Sequence, residues 1–122
     1  MSSNVAIQAL EASLSLESST PNLGQGDRET YLQEQRLALR ACVIEPVAVT
    51  ARAGTWAQQH CGMSANPYRM IAVAYFKSQV GQCLLYNPDT GLFSLAYGHL
   101  DSPDGVDLIG HSSTDALGEW LG

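Results

Sequence analysis

The stretch from residue 69 to residue 97 restricts the fold of this chain more than any other, because it predicts three adjacent strands. Met70 to Phe76 (MIAVAYF) is apolar on both faces, as expected of a strand that is covered on each side. Gly81 indicates a turn, and a second strand follows from Gln82 to Tyr86.

The connection between the second and third strands has the composition of a tight hairpin turn. Within NPDTG (residues 87–91), Pro88 sets the φ angle of a type I turn, and Gly91 can adopt the left-handed conformation that closes the hairpin. Leu92 to Tyr97 then returns as the third strand. We therefore predict an antiparallel meander over residues 69–97.

Two further strands and a final helix are predicted around the meander. The β-branched residues of Val43 to Thr50 favour a strand, and Pro46, which cannot donate a ladder hydrogen bond, predicts a sheet edge or a bulge there. Val106 to Ile109 predicts a short strand. A helix starting at Ser112 closes the chain, with Ser112 and Asp115 approximating a capping box.

The first half of the chain predicts helices. Residues 4–18 carry apolar residues at helical spacing. Arg28 to Arg40 is rich in good helix formers and follows Asp27, a typical N-cap. Residues 54–62 favour one or two helical turns with Thr55 as the cap.

Together these elements predict a single α+β domain of 122 residues. Its antiparallel sheet consists of the meander and an edge strand near residues 43–50, flanked by N-terminal helices and a short C-terminal helix. For residues 1–27 the sequence leaves three alternatives open, namely docking on the core, docking on a partner, and mobility.

The charge of the chain excludes two classes of partner. Its net charge is −6, from 12 acidic and 6 basic residues, and the basic residues are spread along the chain. Nucleic acids and anionic membranes are bound by clustered cations, so we predict neither partner. Only 15% of the residues are charged, against roughly 25% in a typical domain. This low fraction favours a protein partner or a homo-oligomer that covers part of the surface.

The cellular compartment and the catalytic chemistry are inferred from sequence motifs that the chain lacks. The chain starts without a basic region and has no apolar run of roughly 18 residues, so neither a secretory signal nor a membrane span is predicted. Cys42, Cys61 and Cys83 are odd in number and far apart, which favours a reducing, cytoplasmic setting and structural thiols. No pair has the spacing of a zinc site, and no cofactor motif is present. A non-enzymatic role is therefore favoured, without assigned catalytic residues.

Polar and aromatic side chains provide candidates for binding. His99, Asp101 and His111 flank the loop before the last strand, and a ligand site there requires a cleft with at least two of them. Trp56 and Trp120 lie on short predicted helices and suit either the core or a subunit interface.

The second half of the chain resembles a known family. Gly81-Gln82, the segment LLYNPDTGLFSL and the final EWL resemble the sheet-plus-helix half of SUKH-type domains over residues 71–121. The resemblance implies a strand hairpin and a terminal helix with aromatic residues, and the family includes immunity proteins that bind and neutralise toxins. Gln82 stands where the family usually has an acidic residue.

Three functions are consistent with these features. The first is an acidic, non-enzymatic protein-binding module, as a homodimer or with a basic partner. The second is a small-ligand or enzymatic domain that uses the 98–111 loop. The third is a binder of client proteins similar to secretion chaperones, which requires an exposed apolar groove.

Overall fold

A computed structural model describes residues 2–15, 27–64, 67–77, 80–101 and 105–121, and only the backbone of residues 2–4, 110 and 111. The helices of this part are α1 (Ser2–Leu14), α2 (Arg28–Arg40), α3 (Thr55–His60) and α4 (Ala116–Leu121). The strands are β1 (Val43–Ala53), β2 (Tyr68–Phe76), β3 (Gln82–Asn87), β4 (Leu92–Tyr97) and β5 (Val106–Ser113).

The described strands close into a barrel in the order β1-β2-β3-β4-β5. Sequential neighbours are antiparallel, so the α+β class and the meander of β2, β3 and β4 are confirmed. Closure comes from a parallel pairing of Ala51–Ala53 with Val106–Leu108, which the sequence did not predict. The hairpin turn is also confirmed, because Gly91 has a φ of 75°.

Strand β1 combines an edge with a closing segment. Its residues 43–50 pair with β2 alone within the described part of the chain, and its last three residues add the pairing with β5. The register shifts between Val43 and Val47, on either side of Pro46. The proline therefore coincides with an irregularity at a strand edge, as its missing N–H predicts.

Two cores lie on opposite faces of the strands. The barrel core draws on all five strands and consists of Ala51, Met70, Ala72, Cys83, Leu85, Ala96, Val106 and Leu108. The helix-side core includes side chains of α1, α2 and α4 packed against the outer face of the sheet. In β3 the residues alternate, since Cys83 and Leu85 face the barrel while Leu84 and Tyr86 face the helices. Small side chains such as those of Ala72 and Ala96 occupy little space in the interior, which allows the barrel to be narrow.

The N-terminal helix packs against the domain. Leu10 is fully buried in the helix-side core, and Ala6 and Leu14 are buried beside it. Ser13 Oγ donates a hydrogen bond to the Thr114 carbonyl oxygen at 2.6 Å, which connects α1 to the segment before α4. Of the three states considered for residues 1–27, residues 2–15 therefore adopt docking on the core, and residues 16–26 lie outside the described part.

The start of α2 agrees with the sequence. The Asp27 carboxylate accepts hydrogen bonds from the backbone N–H groups of Glu29 and Thr30. The hydroxyl of Thr30 also donates to it at 2.9 Å, and this bond is the main cause of the lowered pKa of Asp27. Asp27 is thus an N-cap, as predicted.

Two helix starts differ from the prediction. The final helix begins at Ala116 instead of Ser112, because Ser112 and Ser113 still pair with β4. The Asp115 carboxylate accepts the N–H of Gly118 at 3.0 Å, so Asp115 is the capping residue and not the fourth residue of a capping box. In α3 the N-cap is Gly54, and Thr55 is the first helical residue.

Candidate functional site

The loop after β4 is held in place by close backbone contacts. The N–H of Gly98 donates to the carbonyl oxygen of Gly81 at 3.1 Å. A Cβ atom on Gly81 would lie far inside van der Waals distance of the Gly98 carbonyl group and 3.3 Å from Nδ1 of His99. A Cβ atom on Gly105 would clash in the same way with the carbonyl oxygen of Thr50. The loop is therefore anchored at both ends, at positions where only glycine fits.

A hydrogen bond joins this loop to β2. The hydroxyl of Tyr75 lies 2.9 Å from Nδ1 of His99, which orients the imidazole ring. Burial raises the pKa of Tyr75, and electrostatic interactions with Cys83 and Asp101 raise it further. Tyr75 therefore remains a neutral phenol at physiological pH.

These groups line an open cleft of about 590 Å³, named here the Tyr75–His99 cleft. Its walls are formed by Tyr75, Lys77, His99, Leu100 and Asp101. Lys77 and Asp101 are exposed and carry opposite charges. Neither side chain forms an ion pair or a hydrogen bond with another residue of the described part. The cleft thus presents one cation and one anion beside a fixed phenol–imidazole pair.

A smaller groove of about 210 Å³ adjoins this cleft. His99 and Leu100 line both, and the other wall of the groove is formed by residues 48–50 of β1 with Gly105 and Val106. The two hollows therefore share one loop, and a ligand that extends beyond the cleft would reach the free edge of β1.

The structure brings together two of the three residues that were predicted to bind a ligand. His99 and Asp101 share the cleft. His111 belongs to β5, between Leu108, which pairs with Ala96, and Ser112, which pairs with Ser94. Its backbone is therefore displaced along β5 away from the loop, and its side chain is outside the described part of the chain.

Sequence reasoning missed Tyr75 and Lys77. Tyr75 brings a hydroxyl into the otherwise apolar run MIAVAYF, and Lys77 is the single lysine of the chain. Both signals are visible in the sequence. Their relation to His99 is not, because it depends on the pairing of β2 with β3 and of β3 with β4.

The two tryptophans have different environments. Trp120 is 7% exposed and belongs to the helix-side core. Trp56 is 53% exposed, and its ring lies 5.2 Å from that of His60 on the next turn of α3. Of the two residues predicted for an interface, Trp56 is the one that a partner can reach.

The cysteine environments favour structural thiols. Burial raises the pKa of Cys83 to about 11, so this thiol stays protonated and donates to the carbonyl oxygen of Gly98 at 3.4 Å. All three cysteines are free. Within the described ranges, no three His, Cys, Asp or Glu side chains form a group that could hold a metal ion. None of the helices described is long and apolar enough to cross a membrane.

Another cleft, of about 620 Å³, lies between the end of α1 and the start of α2 and is lined by residues from Leu14 to Arg36. No site is assigned there.

Comparisons with protein-family models, with curated proteins and with solved structures find no match. The resemblance of residues 71–121 to SUKH-type domains therefore stays an expectation from the sequence.

Proposed function

We propose that this protein binds a small zwitterionic molecule in the Tyr75–His99 cleft, without converting it. The observation that carries the proposal is the presence of Lys77 and Asp101 in one cleft with no partner among the described residues. A ligand with an anionic and a cationic group satisfies both charges at once, whereas a singly charged ligand meets one unfavourable charge.

The size and rigidity of the cleft support this proposal. Its volume of about 590 Å³ is within the range of small-molecule sites, roughly 300–1,000 Å³. The Tyr75–His99 hydrogen bond and the Gly81–Gly98 contact hold one wall in position before a ligand arrives. Such preorganisation reduces the entropy that is lost on binding. The high pKa of Cys83 supports binding without nucleophilic catalysis. The three free cysteines support a reducing, cytoplasmic location.

The test compares zwitterions with singly charged analogues of the same size. We expect at least one amino acid or phosphoethanolamine to raise the melting temperature of the full chain, and its deaminated or decarboxylated analogue to have no effect. At a ligand concentration of 100 times Kd, the stabilisation is about 2.7 kcal/mol. Calorimetric titration then gives Kd for the zwitterion.

Variants assign the binding to the cleft. Lys77→Ala and Asp101→Ala are each expected to weaken binding by roughly 10-fold to 100-fold, because each removes a charge-assisted contact. Arg52→Ala and Glu34→Ala, which remove exposed charges elsewhere, should bind like the original chain. Unchanged affinity in both cleft variants, or no response to any zwitterion, contradicts the proposal.

A second candidate function is protein binding, favoured by a row of exposed residues on the outer face of the sheet. Phe76 pairs with Gln82, and Gln82 pairs with Tyr97, so the three lie side by side across β2, β3 and β4. Phe76 is 53% and Tyr97 39% exposed. Exposed aromatic residues are frequent anchors of interfaces. This row is uncharged, which lets two acidic copies of the chain approach each other here, and we propose a second copy as the partner.

Sedimentation of the purified chain tests this second candidate. We expect a concentration-dependent dimer, and Phe76→Ser should raise its Kd by roughly 30-fold or more, since aromatic anchors contribute about 2 kcal/mol. Leu37→Ser, which removes an exposed apolar residue of α2, is the control and should not change the Kd. A chain that stays monomeric at millimolar concentration, or a dimer unaffected by Phe76→Ser, contradicts this candidate.

A further inference from the structure

A second, narrower cleft opens at the other end of β2, β3 and β4, away from the Tyr75–His99 cleft. Its volume is about 150 Å³. Its apolar lining is formed by Met63, Tyr68, Met70, Leu92 and Leu108, and four polar side chains, Ser94 and Ser112 among them, complete it. Met70 and Leu108 belong to the barrel core. The cleft, named here the Ser94 cleft, therefore leads from the surface to the inside of the barrel.

Ser94 is the buried polar side chain of this cleft. It is 5% exposed and is the buried polar residue of the described part of the chain. Its hydroxyl lines the cleft and forms no hydrogen bond with any described residue. The oxygen atom is not completely buried, so it can be reached from the cleft. A molecule that enters the cleft and offers a hydrogen-bonding atom can therefore pair with this hydroxyl.

The backbone explains why a hollow exists at Ser94. Ser94 pairs with Ser112, and Ala96 pairs with Leu108, so two steps along β4 correspond to four steps along β5. The additional residues of β5 form an irregularity that interrupts the ladder beside Ser94. Such bulges are frequent next to binding sites, where they redirect side chains.

At the mouth of the Ser94 cleft, Tyr68 is held by a hydrogen bond, whereas Met63 has a flexible side chain. The hydroxyl of Tyr68 accepts the backbone N–H of Ser64 at 2.8 Å, which holds the 62–64 segment against the start of β2. Met63 packs against the barrel core from this segment. A methionine side chain adjusts to the shape of a ligand at little cost.

We infer that the Ser94 cleft binds a small, mainly apolar molecule with the size of one aromatic ring and one hydroxyl or carbonyl oxygen, which hydrogen-bonds to Ser94. The volume sets the size, because a cavity of about 150 Å³ accommodates benzene. The five apolar side chains of the lining favour a mainly apolar molecule, and the Ser94 hydroxyl, which forms no hydrogen bond with a described residue, favours an oxygen atom on it. This site is separate from the Tyr75–His99 cleft and does not depend on the function proposed for it.

The experiment uses phenol and toluene, which have nearly the same shape and differ in one hydroxyl group. In the full chain with carbon-13-labelled methionine methyl groups, phenol is expected to shift the signals of Met63 and Met70 in a saturable way. Toluene should bind about 5-fold more weakly, because it cannot pair with Ser94. Lys77→Ala should bind phenol like the original chain, which separates this result from the zwitterion site.

Ser94→Ala tests the assigned group. This variant should fold with an unchanged melting temperature, since it removes a hydroxyl that bonds to no described residue, and it should lose the preference for phenol over toluene. Ser112→Ala is the matched control, because Ser112 lines the same cleft opposite Ser94 but is exposed. It should keep the preference for phenol. A preference for phenol that survives in Ser94→Ala overturns the inference, and so does the absence of methionine shifts with either compound up to its solubility.

Discussion

Replacing Gly81 by alanine is expected to lower the free energy of unfolding by about 3 kcal/mol and to abolish zwitterion binding. The residue has a φ of 74°, which costs an alanine about 1–2 kcal/mol. The new Cβ would also overlap the carbonyl group of Gly98 and press on His99. Relieving such overpacking costs a further 1–3 kcal/mol or so. The loop must therefore move, and His99 moves with it.

Gly91→Ala provides the matched control for this prediction. Gly91 has nearly the same φ, 75°, but a Cβ there meets nothing within 4 Å. This variant should lose only the conformational contribution, about 1–2 kcal/mol, and should retain binding. Urea denaturation measures the stabilities, and calorimetric titration measures the binding. Equal losses in the two variants would mean that the Gly81–Gly98 contact does not position the site.

Leu10→Ala is expected to destabilise the domain by about 2–5 kcal/mol, the range for deleting a fully buried leucine side chain. Leu10 is 0% exposed and lies where α1 meets the helix-side core. The loss of stability is large because the shortened side chain leaves a cavity in the helix-side core, to which α1 contributes. Urea denaturation followed by circular dichroism provides the measurement.

Val5→Ala, on the same helix, is the control for this second prediction. Val5 is exposed, so its truncation should change the stability by about 0.5 kcal/mol or less. Similar small effects for both variants would show that α1 leaves the domain in solution. In that case the N-terminal segment would be available to a partner, which is one of the states that the sequence left open.

The parts of the fold that sequence reasoning predicted correctly depend on neighbours in the chain. The apolar runs around Gly81, the turn at residues 87–91 and the Asp27 cap each involve residues within a few positions of one another. Local conformational preferences and hydrogen bonds decide such features. For the same reason the irregularity at Pro46 was predictable, because a proline cannot donate a ladder hydrogen bond in any context.

The candidate site was predictable only in part. His99 and Asp101 lie two positions apart in the sequence. Because both belong to one loop, their position in one cleft could be expected from the sequence alone. Tyr75 in β2 and Lys77 directly after this strand line the same cleft, and Tyr75 precedes His99 by 24 residues. Ser94 looked like an ordinary strand serine, since the irregular pairing of β4 with β5 that opens its cleft is not visible in either strand.

Interactions between neighbours in the sequence thus determined the strands of the meander, its hairpin turn and the N-cap of α2. Barrel closure, the late start of α4 and both clefts depend on which distant segments pair and in what register. Ser112 and Ser113 have a helix-capping pattern, but the ladder hydrogen bonds to β4 that they gain in the folded barrel outweigh it. Such long-range pairings exist only once the whole sheet is assembled, because their gain must first exceed the entropy of bringing remote segments together.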